Sequence, residues 1–384
     1  MLNFTFYNPT KILFGEGQVS GINKLVPADA RVLVLLGGSS ARKNGTLTEV
    51  LSALANRTVK EFEGIEPNPQ YDTLMRAVAL IKAEKIDYLL AVGGGSVIDA
   101  TKFIAAAVYQ TEEPWNILLK RGANITKAMP YGTVLTLPAT GSEMNSGSVI
   151  SRGADKLHFS HETVYPQFSV LDPTKSFTLP PRQLANGVVD AYTHIMEQYL
   201  TYPVDAQVQD CFAEGLLATL IDIGPKILAN PQDYNAQANL MWTATLALNG
   251  LIGSGVPGDW ATHMLGHEIT AAHGLDHAQT LAIVLPNMLE IRRESKRAKL
   301  LQYATRVWSI TEGDENARIT TAIEKTRGFF ESLGVKTSLA DYQIHPTAID
   351  HLLAQLKAHG MVSLGEHGDV DLDLSRKVLE ASFR

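Results

Sequence analysis

Asp87-Tyr-Leu-Leu-Ala-Val92-Gly93-Gly94-Gly95-Ser96-Val-Ile-Asp99 decides how the chain is read. Its apolar run is too short for a core helix and matches a strand buried on both faces, as in a parallel sheet. The run stops at three glycines and resumes at helical spacing over Ser96–Val108. One glycine suffices for a tight strand-to-helix turn. Three in a row let the backbone approach a ligand, and the free N–H groups that open a helix suit a pyrophosphate, so the stretch favours a phosphate site over a bare turn.

The same grammar extends on both sides. Arg31-Val-Leu-Val-Leu-Leu-Gly37, Gly132-Thr-Val-Leu-Thr-Leu137 and Phe168-Ser-Val-Leu171 read as further strands, with helix-period segments at Thr46–Asn56 and Tyr71–Glu84. Strands alternating with helices imply crossover units and a parallel sheet. After Leu179-Pro180-Pro181 the pattern becomes helical throughout: Gln183–Leu200, Asp205–Leu220, Tyr234–Leu251, Trp260–Ala272, Ala278–Glu290 and Arg297–Trp308. Pro203, Pro225, Pro231, Pro257 and Pro286 are expected as breakers between them. The expected domains are therefore 1–180, an α/β dinucleotide-binding half, and 181–384, an all-α half.

Two loops qualify the cofactor reading. Phe14-Gly15-Glu16-Gly17-Gln18-Val19-Ser20-Gly21 resembles a dinucleotide fingerprint but has one residue too many, and Glu16 would repel phosphate; it reads as a turn into a helix. Gly37-Gly38-Ser39-Ser40-Ala41-Arg42-Lys43 carries no acid, nor does the chain as far as Thr48. NAD sites place a carboxylate on the ribose 2′-hydroxyl, whereas Ser39, Ser40 and Lys43 suit a 2′-phosphate. A solvated polar loop is the plain alternative.

Net charge is −7, with no basic run longer than Arg42-Lys43, which argues against nucleic acid as a partner. No apolar run reaches the roughly 20 residues of a membrane span. The N-terminal residues lack a signal-peptide pattern, so a cytoplasmic location is expected. A single cysteine, Cys211, excludes an internal disulfide and a CxxC metal site, and is expected as a packed thiol.

Of eleven histidines, four fall within His263-Met-Leu-Gly-His267-Glu-Ile-Thr-Ala-Ala-His273-Gly-Leu-Asp-His277. Asp190 and His194 are four apart, about 40° around a helix, and so are His263 and His267. His267 and His273 are six apart, about 240°, and cannot face one way on one unbroken helix. His267-Glu268 does not continue as HExxH, which argues against a zinc protease. The two histidine-bearing stretches are expected to close on one divalent ion. One carboxylate with neutral imidazoles makes a Lewis-acid site, and Fe²⁺ and Zn²⁺ both suit such donors. Any one histidine taken alone is more often a hydrogen-bonded core or surface group.

With these motifs in order, the chain resembles the iron-containing (group III) alcohol dehydrogenase family over its whole length. The resemblance rests on Gly93-Gly94-Gly95-Ser96-x2-Asp99, Leu137-Pro138-Ala139-Thr140-Gly141-Ser142-Glu143, Leu171-Asp172-Pro173, Asp190-x3-His194 and His263-x3-His267-x5-His273-x3-His277. Asn186–Ala191 and Asp259–His263 are similar to its NADPH-dependent aldehyde reductase (butanol dehydrogenase) branch. It implies a Rossmann-like, dehydroquinate-synthase-like α/β domain followed by an all-α domain, in a homodimer. It further implies NADP(H)-linked reduction of small aliphatic aldehydes, reversible as alcohol oxidation, at one Fe²⁺ or Zn²⁺. Asp190, His194, His263 and His277 would be the metal ligands, with His267 and His273 near the substrate as the catalytic candidates. Gly93, Gly94, Gly95 and Ser96 would hold the pyrophosphate with Asp99 beside them. Gly37, Gly38, Ser39, Ser40 and Lys43 would lie at the 2′-phosphate, Thr136 and Thr140 at the adenine side, and Lys156 near the nicotinamide. Several family members read Thr-Ala-Gly where this chain has Leu137-Pro138-Ala139, so that motif transfers from Thr140 onward. A dehydroquinate-synthase-like lyase would need clustered Arg and Lys for its anionic substrate, and few flank Asp190 or His263–His277. A catalytically silent binding relative is the remaining alternative.

Overall fold

The apolar run at 88–92 becomes the fourth of eight strands: β1 (Lys11–Phe14), β2 (Arg31–Leu36), β3 (Thr58–Phe62), β4 (Tyr88–Gly94), β5 (Tyr131–Leu137), β6 (Gly147–Arg152), β7 (Asp155–Ser160) and β8 (Phe168–Leu171). Six of them form one sheet in the order β1-β8-β5-β4-β2-β3, every pair parallel; β6 and β7 form a separate antiparallel hairpin. The protein is described by a computed structural model covering residues 1–384.

The alternation of side chains along a strand divides the core into two layers. Leu33, Leu35, Leu89 and Ala91 pack on one face with Leu74, Val78 and Ile81 of the Tyr71–Glu84 helix and Ile98 and Phe103 of the Gly95–Ala107 helix. Val32, Val34, Leu36, Leu90 and Val92 pack on the other face, with Val19, Ile22, Leu47 and Val50. The edge strands β1 and β3 are half exposed, and the hairpin strands carry polar residues. β1 offers only the three apolar residues Ile12–Phe14, and β3, β6 and β7 are interrupted by polar residues, so these four strands carry little local signal.

Internal contacts divide the residues into two units. Tyr7–Leu179 with Pro231–Thr245 makes the sheet unit; Met1–Phe6, Pro180–Asn230 and Leu246–Arg384 make the helical unit. Two short segments thus cross the cut expected after residue 180. As expected, α/β order in the first half gives way to helices in the second.

The helical unit corrects two breakers. Pro225 lies inside the Gln207–Ala229 helix and Pro286 inside His277–Ile291. A proline within a helix costs one backbone hydrogen bond and a clash, about 3 kcal/mol. Burial of the helix faces offsets this here: Pro286 sits in a run buried from Thr280 to Leu289, and Gly224 lies close against Val188, Phe329 and Leu333. Cys211 is a further correction, being exposed rather than packed. The buried stripe of its helix runs through Gln209, Ala213, Leu217 and Leu220, and Cys211 falls off that stripe.

Candidate functional site

In the sheet unit the strand order locates the site. From β2 the chain crosses to β3 on one side and then to β4 on the other, so the direction of winding reverses between β2 and β4. Open parallel sheets bind ligands at the carboxyl ends of strands beside such a reversal. Gly37–Ser40 follows β2, Gly93–Ser96 ends β4 and opens the next helix, and Thr136–Thr140 ends β5, the other neighbour of β4. The two glycine loops singled out in the sequence are therefore neighbours.

Close packing gives the three glycines a second reason to be there. A Cβ on Gly93 would meet Val97 Cγ2 at 2.5 Å, one on Gly94 would meet Leu137 Cβ at 3.0 Å, and one on Gly95 would meet Thr140 Oγ1 at 2.5 Å. The helix that starts at Gly95 has no side-chain cap, which leaves its first N–H groups for a ligand. Gly38, Ser39, Ser40 and Lys43 are exposed, with Ser39 opening a short Ser40–Lys43 helix. Arg42 beside them pairs with Glu61 at 2.5 Å and also with Glu63. These acids approach the loop from the end of β3 and the residue after it, which no local reading of residues 37–48 reveals.

Asp99 has an internal task. Its Oδ1 accepts from Ser142 Oγ at 2.5 Å and its Oδ2 from the Val149 N–H at 2.8 Å, tying the glycine-led helix to the segments after β5. Lys102, buried on the same helix, donates to Ser142 Oγ, Asn145 Oδ1 and the Gly147 carbonyl at 2.7–2.8 Å. Burial pushes its amine down to about 8, against Asp99 and Glu143. An acid and a base three apart in an otherwise apolar helix were the visible sign of this network. Lys156 lies on β7 and donates to Asn68 Oδ1 at 2.8 Å. Thr136 is half-buried at the end of β5, and Thr140 Oγ1 accepts from the Ser142 N–H at 3.2 Å.

In the helical unit three helices converge. Asp190 and His194 share a face of Pro181–Tyr199, and His263 and His267 share a face of Ala261–His273. Gly274 closes the latter helix in the left-handed conformation, φ +70°, and Asp276 opens the next with a capping box to Gln279. That short reversal makes His277 the first residue of its helix and turns it back toward His263. Donor atoms of Asp190, His263 and His277 lie within 4.8 Å of one another. His194 is stacked on His263 with ring centroids 4.6 Å apart, and its Nδ1, which makes no hydrogen bond, lies 3.7 Å from Asp190 Oδ1. His277 Nε2 is 3.8 Å from the same oxygen.

Asp190, His263 and His277 fit a divalent cation: one carboxylate with imidazoles, no sulfur, and a spacing that one ion can bridge, while His194 stands beside them outside that closest group. Burial pushes His194 down to about 4, against Asp190, so its ring is neutral at pH 7 as a ligand must be. His267 is buried, its ring 5.1 Å from His277 and 6.4 Å from His263. His273 ends the helix in an exposed position and is not brought into the group.

Two residues beside the cluster escaped the sequence reading. Glu197 Oε2 contacts His263 Nδ1, and its Oε1 accepts the Thr262 N–H at 2.7 Å. Burial and the nearby Asp259 push this carboxyl well above its ordinary range, against the Thr262 and His263 N–H groups and Lys296; a cation beyond the ring favours the anion. Glu197 lies seven residues after Asp190, on the same helix face, and that spacing was the available signal. Trp260 adopts φ +62° and sets its ring 5.5 Å from His263 and 6.3 Å from His194.

The chain is similar to known proteins along its length. Residues 9–173 match the iron-containing alcohol dehydrogenase family, and residues 184–367 match its C-terminal counterpart. The chain is 59% identical to the NADPH-dependent aldehyde reductase YqhD of Escherichia coli K12, with all of both chains covered. It is 40% identical to NADP-dependent alcohol dehydrogenase 3 of Entamoeba histolytica, over 97% of this chain and 96% of that one. Among solved structures, E. coli YqhD superposes with a TM-score of 0.98 at 58% identity, over 99% of each chain. The NADH-dependent butanol dehydrogenase A of Thermotoga maritima gives 0.96 at 33%, over 100% of this chain and 99% of that one. Two family matches that together span most of the chain, and a full-length relative at this identity, make it a member of the iron-containing alcohol dehydrogenase family.

Proposed function

We propose that the chain is a metal-dependent, NADPH-linked aldehyde reductase acting on small aliphatic aldehydes, and reversibly an alcohol dehydrogenase. The observation that carries this reading is the convergence of Asp190, His263 and His277 donors within 4.8 Å, with His194 stacked on His263. Asp190, His194, His263 and His277 would hold one Fe²⁺ or Zn²⁺. When bound, such an ion supplies Lewis acidity to a carbonyl oxygen, where negative charge develops in the transition state.

The chain's own residues do the rest. Asp190 contributes the single anionic charge of the donor set. Residues 1–180 carry the cofactor: Gly93, Gly94, Gly95 and Ser96 take the pyrophosphate, Asp99 braces that loop, and Thr136 and Thr140 border the adenine. Gly37 and Gly38 leave room for the ribose phosphate, to which Ser39, Ser40 and Lys43 donate, and Lys156 stands at the nicotinamide end. NADPH, when bound there, would supply the hydride for a carbonyl carbon, and the carbonyl oxygen would need a proton. His267, packed against His277, is the residue proposed to pass that proton; His273, at the exposed end of the same helix, shapes the approach. Residues 181–384 form the metal-binding half.

No helix is long and apolar enough to cross a membrane, and the net charge of −7 disfavours nucleic acid. We propose a cytoplasmic homodimer with only small-molecule partners. An aldehyde panel assayed with NADPH and with NADH, by loss of nicotinamide absorbance, tests the reading. Aldehyde-dependent NADPH oxidation is expected; its absence across the panel in metal-replete enzyme refutes it.

A further inference from the structure

His263 is held from behind by a buried ionic chain to which the proposed reaction assigns no task. Glu197 contacts the ring through Oε2, accepts the Thr262 N–H through Oε1, and accepts the Asp259 N–H at 2.9 Å through its backbone carbonyl. Both sides of the 259–263 turn are thus tied to one residue. Asp259 Oδ2 pairs with Lys296 Nζ at 2.7 Å, and Lys296 also donates to the Leu200 carbonyl at 2.5 Å and to Glu366 Oε1 at 2.7 Å. The Glu197, Lys296 and Glu366 side chains are 3%, 1% and 1% exposed. Burying charges so completely often contributes little stability compared with apolar packing, and in some proteins such groups fix a geometry instead. The enclosed turn has an unusual geometry to fix. Trp260, a bulky residue, sits at φ +62° between the two tied backbone groups, a conformation that survives only when its surroundings over-determine it.

We propose that Glu197 is a positioning residue for His263. Its carboxylate accepts a hydrogen bond from the Nδ1–H, which fixes the imidazole tautomer and makes Nε2 the metal-binding nitrogen. Lys296, bridging Asp259 and Glu366, holds the turn that carries the ring. A carboxylate on the distal nitrogen also raises the basicity of the ligating one. This inference rests on the reading of His263 as a metal ligand.

Zinc affinity measured by chelator competition tests it in wild type, E197Q and H263A, together with the histidine ring ¹⁵N spectrum of the zinc-loaded wild-type enzyme. E197Q should weaken zinc binding on the order of 10- to 100-fold, with the melting temperature of the metal-free protein little changed. In the wild-type spectrum His263 should carry its proton on Nδ1. Wild-type zinc affinity in E197Q, or His263 bound through Nδ1, overturns the proposal, and the spectrum decides alone if E197Q does not fold. Unchanged affinity in H263A removes the metal reading itself, whereas loss in H263A with none in E197Q removes only the role of Glu197.

Discussion

The two units prepare for their ligands by opposite means. In the sheet unit the proposed cofactor site is made of backbone: consecutive glycines at a strand end, an uncapped helix start, and neighbouring strand ends at the β2/β4 reversal. In the helical unit the proposed metal site is made of side chains, drawn from residue 190 to residue 277 on three helices, with Gly274 and the Asp276 cap reversing the chain and Glu197 proposed to orient His263. A backbone site depends on what is missing from its side chains. A side-chain site depends on what stands behind each donor.

The contrast can be broken at its strongest point first. His263→Ala should abolish metal retention and lower aldehyde reduction by on the order of 10³-fold or more, because a positioned Lewis acid is lost outright. Metal content and steady-state rate check it together, and a metal-replete, active variant would sink the assignment. His267→Ala should keep the metal and lower kcat by on the order of 10²-fold, the scale of one positioned proton transfer; parallel loss of metal would make it a ligand instead.

Gly95→Ala probes the backbone site. Its Cβ would press on Thr140 Oγ1, so the variant should lose about 1–3 kcal/mol of stability by thermal denaturation and raise the KM for NADPH. Adding Thr140→Ala should recover most of the stability, and no recovery would place the strain elsewhere. Ser39→Asp should be the mildest, shifting cofactor preference from NADPH toward NADH by roughly tenfold through repulsion of about 1.4 kcal/mol at an exposed site. An unchanged ratio of kcat/KM values would show that this loop does not select the cofactor.

The same contrast explains what could be read beforehand. Gly93–Ser96 and the strands that lead to it were legible because the signal is local: an apolar run, then glycines, then helical spacing. Asp190 with His194, and His263 with His267, were legible as i, i+4 pairs. Glu197 was passed over because an acid at i+7 looks like a solvated helix face until the fold buries it. The acids Glu61 and Glu63 beside Arg42 were invisible in residues 37–48 because the fold brings them in from β3 and the residue after it. Pro225 and Pro286 misled because helix-breaking is a local preference that tertiary burial outweighs. Cys211 misled because its burial was inferred from the helix pattern without fixing which stripe faces inward.

Metal removal and restoration test the central claim most directly. The enzyme is stripped with a chelator, and aldehyde-dependent NADPH oxidation is followed as Fe²⁺ or Zn²⁺ is titrated back. Activity should vanish in the stripped protein and return to a plateau at one equivalent per chain, with no return in His263→Ala. Full activity in verified metal-free protein would contradict the account.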